Sequence, residues 1–505
     1  MSLPDTLELG LQLPGLRELD PMIGDFVTRV FDLADIPSPR REALGEAARS
    51  AISLVERALE AEGDDAVRLE LGATISTDLV ELRILEHGVP LGDDLVGGAG
   101  TDIRSRIRPS QVFDLVQWVQ KGREGSELHL VAHRPATPIA VLDEARHRLE
   151  QVHDEVAHAD LDPSASTGEY RIRGYGEDDG LTIARRIYEA YGRSYPNPDL
   201  YVPDRIARLN REGRLHSIVC ESPDGEVVGH YALERPDLGP IGEAGQAVID
   251  HRHRGHGLMK PMRAAVEAAG GELGLLGIWS QPTARHPISQ RMNLRFGSTP
   301  CALCLGTTPA ESSLRGGVAG QTEDADAPAR HSCFLYWHPL TDEPPLVAHV
   351  PESLVPVLAP LYDARGRDVR FETAGSAAPS GHATVRSRFD AARGVAWIAL
   401  DRVTDGGFDS IRAAMDAMES SAGAATIFVD LPIDDPGTTR LAESLLAEGL
   451  RPAGVGPRFR PVDDDRRAED VLRLQANPIA VDLAGLVVEG DLGRRLADAV
   501  IGDRD

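Results

Sequence analysis

Lysine is nearly absent from this chain. Of 505 residues only Lys121 and Lys260 are lysine, and arginine supplies the remaining positive charge. Basic residues total 53 against 80 Asp and Glu, which leaves a formal charge of −27. So acidic a surface repels phosphate backbones and excludes nucleic acid as a general partner, while a local basic patch still suits a phosphorylated cofactor. Cysteine is scarce too. Four residues, Cys220, Cys301, Cys304 and Cys333, are too few for a disulfide framework at this length, and the expected compartment is a reducing cytoplasm. No apolar run reaches the roughly 18 residues of a membrane-spanning helix, and residues 1–20 have neither the basic nor the apolar region of a secretory signal. What remains is ordinary globular composition, 42% hydrophobic and 26% charged, in a length that suits about three domains.

Composition divides the chain. Residues 1–136 alternate strand-like and helix-like patterns. Residues 137–168 read as a connection, an amphipathic helix over 139–159 followed by a polar linker. Residues 169–310 form a second αβ block, 311–330 an acidic, Gly-rich linker, and 331–505 a third block.

The most informative segment is IGEAGQAVIDHRHRGHGL, residues 241–258. A strand pattern runs into Arg252-His253-Arg254-Gly255-His256-Gly257, and a helical pattern begins at Leu258, with Pro261 in its first turn. Strand, glycine turn and helix make an anion site: glycines let the backbone approach a phosphate, and the first helical N–H groups point outward unpaired. Arg252 and Arg254 are expected to add charge. The spacing R-x-x-G-x-G fits neither the dinucleotide fingerprint nor the P-loop.

This motif resembles the pyrophosphate-binding turn of the GNAT acetyltransferase superfamily, and the flanking order of strands and helices over about 170–310 is similar too. The resemblance implies acyl transfer from acetyl-CoA, or another acyl-CoA, to an amine acceptor. By it, Gly255, His256, Gly257 and Leu258, with Arg252 and Arg254, hold the pyrophosphate, and the Val248–Ile249 edge pairs with the pantetheine. Glu243 and His230 become candidates for the general base, and His286 for the acid. The family's usual tyrosine acid aligns with Asn293, a departure. Ser280 and Gln281 are weaker candidates for contact with cofactor or substrate.

The first block resembles the GHKL ATP-binding domain of anti-sigma-factor serine kinases. Its expected order includes a helix over 105–122. The ATP and Mg²⁺ positions map to Glu46, Ser50, Glu86 and Gly88, but Ser50 replaces an asparagine and Glu86 an aspartate. A degenerate module is therefore expected, regulatory or dimerising, with a homodimer or a signalling protein as its partner. In the third block, GTTRLAESLLAEGLRPAGV resembles the end of a second GNAT fold whose glycine turn has decayed to Val403-Thr404-Asp405-Gly406-Gly407. The expected fold class is thus α/β (α+β) in three domains: a GHKL-like sandwich, a GNAT fold and a degenerate GNAT-like fold. The alternative function is a non-catalytic signalling protein that senses acyl-CoA. Cys301, Cys304, His331 and Cys333 are zinc-ligand types, but the apolar strand around the first pair reads as core packing, and no metal is expected.

Overall fold

A computed structural model describes residues 6–14, 20–34, 36, 38, 40–61, 68–76, 79–87, 112–113, 115–120, 126–134, 169–191 and 195–502. Within these ranges, 196, 237, 310–329, 382, 384, 391–392, 421–422 and 463–466 are excluded. The helix expected over 139–159 and both linkers lie outside the described residues, apart from their outermost positions.

The architecture is mixed α/β. The first block runs β1 (Thr6–Pro14), α1 (Asp20–Leu33), α2 (Arg40–Ala61), β2 (Arg68–Ser76), β3 (Leu79–His87), β4 (Leu115–Gln120) and β5 (Ser126–His133). The central block runs β6 (Arg171–Gly174), α3 (Asp179–Tyr191), α4 (Pro203–Arg211), β7 (Leu215–Glu221), β8 (Val227–Glu234), β9 (Ile241–Ile249), α5 (Met259–Glu272), β10 (Gly277–Ser280), α6 (Ile288–Arg295) and β11 (Thr299–Thr308). The last stretch holds β12 (His331–Pro339), β13 (Leu346–His349), α7 (Val355–Asp363), β14 (Val369–Glu372), β15 (Val385–Asp390) and β16 (Val395–Leu400). It continues with α8 (Gly407–Ser420), β17 (Thr426–Pro432), α9 (Thr438–Ala447), β18 (Arg451–Pro461), β19 (Ala468–Ala476) and α10 (Asp491–Ile501).

Among the described residues, seventeen strands join in one sheet. Followed from neighbour to neighbour, it reads β6-β7-β8-β9-β10-β12-β11-β18-β19-β17-β16-β15-β4-β5-β3-β2-β1. Its middle is a repeat. In the central block, β9 and β10 are parallel, and β12 inserts antiparallel between β10 and β11. In the third block, β16 and β17 are parallel, and β19 inserts antiparallel between β17 and β18. The two halves meet where Ala302 of β11 faces Gly454 of β18.

Two expectations are corrected. The stretch read as a helix over 105–122 holds strand β4, paired with β5 and, through Val116↔Phe389 and its neighbours, with β15. Valine and tryptophan in LVQWVQ favour a pleated strand once such partners exist. Strand β12, assigned by sequence to the third block, completes the central sheet, so residues 311–330 interrupt a β11–β12 hairpin rather than separate two sheets.

Helix α5 covers one face of the central strands with Met262 and Val266, both wholly buried against Cys220, Val228 and Leu233. Each such side chain contributes about 1.5–3 kcal/mol on burial. Helices α3 and α4 cover the other face through Ile183, Ile187 and Ile206. A further apolar layer, with Trp337, Leu335, Val395 and Phe428, packs the central half against the third block. No helix among the described residues is long and apolar enough to cross a membrane.

Candidate functional site

Strand β9 carries the site. Its ladder with β8 is interrupted by one extra residue: His230 faces Val248, but Ala232 faces Gly245. Gln246 takes a positive φ of 62° in this bulge. A bulge twists and re-aims the strand that holds it. On its other side β9 pairs with β10 at three positions only, Ile241, Gly242 and Glu243 against Gly277, Ile278 and Trp279. Pairing stops at Glu243, one residue before β10 ends at Ser280, and the remaining edge of β9, Val248 and Ile249 included, has no strand partner on that side among the described residues.

The chain leaves this cleft through the glycine turn. Arg252, Arg254, Gly255, His256 and Gly257 are exposed, while Leu258 tucks into the core. Gly255 and Gly257 adopt φ values of +86° and +72°, which other L-residues rarely tolerate. A Cβ built on either would meet no atom within 4 Å, so the arch is open space. The N–H groups of Gly255, His256, Gly257 and Leu258 have no acceptor among the described residues, and α5 begins without a side-chain cap. Outward N–H groups at a helix start, in an unfilled concavity, suit a diphosphate. The His256 ring lies 5.3 Å from that of Tyr170, whose hydroxyl reaches His253 Nδ1 at 2.9 Å.

The two arginines differ, which corrects the expectation of charge from both. Arg252 Nη2 lies 2.6 Å from Asp250 Oδ2 and 3.4 Å from Glu226. Asp250 also accepts from buried Arg186 at 2.6 Å. Burial pushes the Asp250 carboxyl up, but the bonds to Arg252 and the charge of Arg186 outweigh it and hold it at about 2. Arg252 is therefore committed to this ion cluster. Arg254 donates from Nε to the Ile249 carbonyl at 3.3 Å and has no acidic partner among the described ion pairs.

The candidate catalytic groups separate as clearly. Glu243 is half-buried at the point where β9 and β10 part. Burial and the neighbouring Glu234 push its carboxyl up to about 8, against the pull of Arg393 and Arg388 from the third block. Glu234 itself accepts from Gln246 Nε2 at 2.7 Å. His230 is wholly buried: Nδ1 donates to the Gln246 carbonyl at 3.1 Å, and Nε2 meets the Ser217 hydroxyl at 3.0 Å. Burial holds its ring down at about 4. Both nitrogens are spent pinning the bulge, so His230 is a positioning group and not a base. His286 is half-buried with Nδ1 unpartnered, and burial together with Arg285 keeps its ring below the ordinary value, hence neutral. A neutral imidazole is poorly matched to the acid role. Asn293 is buried and accepts from Ser280 Oγ at 2.7 Å, so both serve packing. Gln281 lines a small pocket with Arg393 and Trp397.

Sequence reasoning missed Glu234, Gln246 and Arg393, which set the charge around Glu243. Hairpin register could have placed Glu234 directly opposite Glu243, but Gln246, three residues on from Glu243, reaches Glu234 only past the bulge, and Arg393 arrives from 150 residues downstream through the sheet.

In the first block, Glu46 sits on the exposed side of α2 and Ser50 is half-exposed. Glu86 is the last but one paired residue of β3, opposite Leu69 of β2. Gly88 and the glycine loop 92–102 lie outside the described residues. Among the described residues no three His, Cys, Asp or Glu side chains gather as a metal site. Cys301 donates instead to the Leu335 carbonyl at 3.2 Å.

No family model matches the chain, and no curated protein matches it. Several solved structures do. The chain is similar to yncA, a putative acetyltransferase from Salmonella typhimurium with its cofactor acetyl-CoA, at 14% identity over 35% of this chain and 96% of that one, TM-score 0.27. It is similar to a putative acetyltransferase from Acinetobacter baylyi at 14% identity, over 35% and 98%, TM-score 0.28. It is also similar to a putative acyl-CoA N-acyltransferase from Klebsiella pneumoniae at 20% identity, over 34% and 98%, TM-score 0.22.

Proposed function

We propose that the central block is a GNAT-type transferase that moves an acyl group from acyl-CoA to an amine. The observation that carries this reading is the open glycine arch at the mouth of the cleft between β9 and β10. The N–H groups from Gly255 to Leu258 would hold the diphosphate, with Arg254 as the nearby exposed charge, and the free β9 edge at Val248 and Ile249 would take the pantetheine. Bound there, acyl-CoA supplies an activated thioester.

Glu243 stands where the strands part and takes the proton from the acceptor ammonium. Its carboxyl near 8 matches that work, since a base is most effective when its pKa lies near the working pH. His230 and Ser217 fix the bulge that aims the strand. Asn293, which aligns with the family's tyrosine, is bonded into the fold and offers no acid at that position. That one observation favours a second reading, an acyl-CoA sensor without transfer. The first block is read as a packing and regulatory module, since β4 extends the sheet of the third block through β15.

Incubation of the full chain with acetyl-CoA and a panel of primary amines, read by mass spectrometry of the products, tests the reading. The expected result is acetylation of at least one amine, lost in Glu243→Gln. Binding of acetyl-CoA with no product from any amine would favour the sensor.

A further inference from the structure

The cavity beside Gln281 contains chemistry that acyl transfer does not use. Cys304 of β11 lies directly opposite Cys333 of β12 in the antiparallel register. Residues so opposed have Cα atoms about 4.5–5.5 Å apart, inside the range of about 4.4–6.8 Å that a disulfide spans. Cys333 is bracketed by polar groups: Thr307 Oγ1 donates to its sulfur at 3.2 Å, and Gln281 Oε1 lies 3.5 Å away to accept its proton. Arg473 lines the same cavity as Cys304, its guanidinium fixed by two 2.7 Å bonds to Asp430. The adjacent Cys333 and the Arg473 guanidinium hold the Cys304 thiol below its ordinary value despite burial. The neighbouring Cys304 and burial push the Cys333 thiol up. The other two cysteines lack this setting. Burial raises both, Cys220 to about 11, and the Cys301 thiol is engaged by the Leu335 carbonyl.

We propose that Cys304 and Cys333 are an oxidisable thiol pair, with Cys304 the nucleophile toward a small hydroperoxide and Cys333 the thiol that resolves it. The Cys304 thiolate attacks one peroxide oxygen. The S–O bond forms, the O–O bond breaks, and with hydrogen peroxide the departing hydroxide takes up the proton released when Cys304 ionised and leaves as water. The Cys333 sulfur then attacks the Cys304 sulfur, the S–S bond forms, the S–O bond breaks, and a second water leaves with the Cys333 proton. Two thiols are oxidised, one peroxide is reduced, and the product is a cross-strand disulfide in the cavity wall. The inference does not depend on acyl transfer.

The test treats the full chain with hydrogen peroxide, quenches it, unfolds it and counts thiols by alkylation and intact mass. Wild type is expected to fall from four thiols to two. Cys301 and Cys304 share one tryptic peptide, so Cys301→Ser decides which is linked: it should fall from three thiols to one, with Cys304 joined to Cys333. Cys304→Ser should keep all three thiols, and Cys333→Ser should form no disulfide but fall to two thiols as Cys304 is trapped as a sulfenic acid that dimedone labels. Retention of four thiols in wild type, a link surviving in Cys304→Ser, or oxidation of Cys304 to sulfinic acid without a link would overturn the proposal. If Cys304→Ser or Cys333→Ser fails to fold, the wild-type and Cys301→Ser counts still decide it, and if Cys301→Ser fails, the fall of wild type from four thiols to two does.

Discussion

The central half and the third block share one strand order and differ where chemistry would occur. In the central half β9 is bulged against β8, pairs with β10 at three positions, and ends in an open turn. In the third block β15 and β16 pair over six positions without a shift, and β16 stays paired with β17 over five. No cleft opens between them. The turn that follows is closed as well: Asp405 Oδ1 accepts from the Gly381 N–H at 2.9 Å, and a Cβ on Gly406 would meet the Gly381 carbonyl at 3.3 Å. Hydrogen bonds to Gly381 and Ser380 hold the exposed Asp405 carboxyl below its ordinary value, so the turn presents a negative charge where a diphosphate would need donors. Fold alone therefore does not make the site. One inserted residue, two fewer ladder pairs and two uncapped glycines do.

The comparison can be broken at its carboxylates. Glu243→Gln should lower turnover by roughly 10²- to 10⁴-fold, the usual worth of a general base. In wild type the rate should rise with pH through about 8, as Glu243 gives up its proton, and that limb should vanish in the variant. The third block's buried acid behaves otherwise. Asp430 is bonded to Arg473, which lies over Phe428 and Phe459 at 5.1 Å each. Asp430→Asn leaves that guanidinium unpaired and should cost about 3–5 kcal/mol of stability, read by denaturant unfolding, with turnover of the folded fraction unchanged.

A third test concerns pH and stability. Glu243 has a folded pKa raised above its unfolded value, so the folded state holds its proton more tightly. Stability from this group is full at low pH and declines as pH climbs from about 4.5 toward 8. Glu243→Gln should accordingly melt higher than wild type at pH 9, and the gap should shrink toward pH 5. The smallest effect belongs to the arginines. Arg254→Gln should weaken acetyl-CoA binding about two- to five-fold at low salt and less at high salt, as for an exposed charge. Arg252→Gln should alter stability more than affinity, because its charge is already matched by Asp250 and Glu226.

The central elements were legible because each announces itself locally. The ProAspGly turn joins β7 to β8, R-x-x-G-x-G ends β9, and Gly297 ends α6. The errors came from pairing at long range. LVQWVQ allows a helix or a strand by pattern, and its strand partner β15 lies about 270 residues away in sequence. Strand β12 reads as the start of a new block because 22 residues separate Thr308 from His331, yet it pairs with both β10 and β11. At the site, the residue types at Glu243, Gly255 and Gly257 could be picked out. The bulge that spends His230, and the ion cluster that occupies Arg252, depend on register and could not.

Calorimetry with acetyl-CoA on wild type and Gly255→Glu tests the central claim most directly. The account predicts one site per chain in wild type, filled at the central turn only. It predicts loss of that binding in Gly255→Glu, where a carboxylate would stand among the arch N–H groups, at a circular dichroism spectrum matching wild type. Absence of binding to wild type, or equal affinity in the variant, would contradict it.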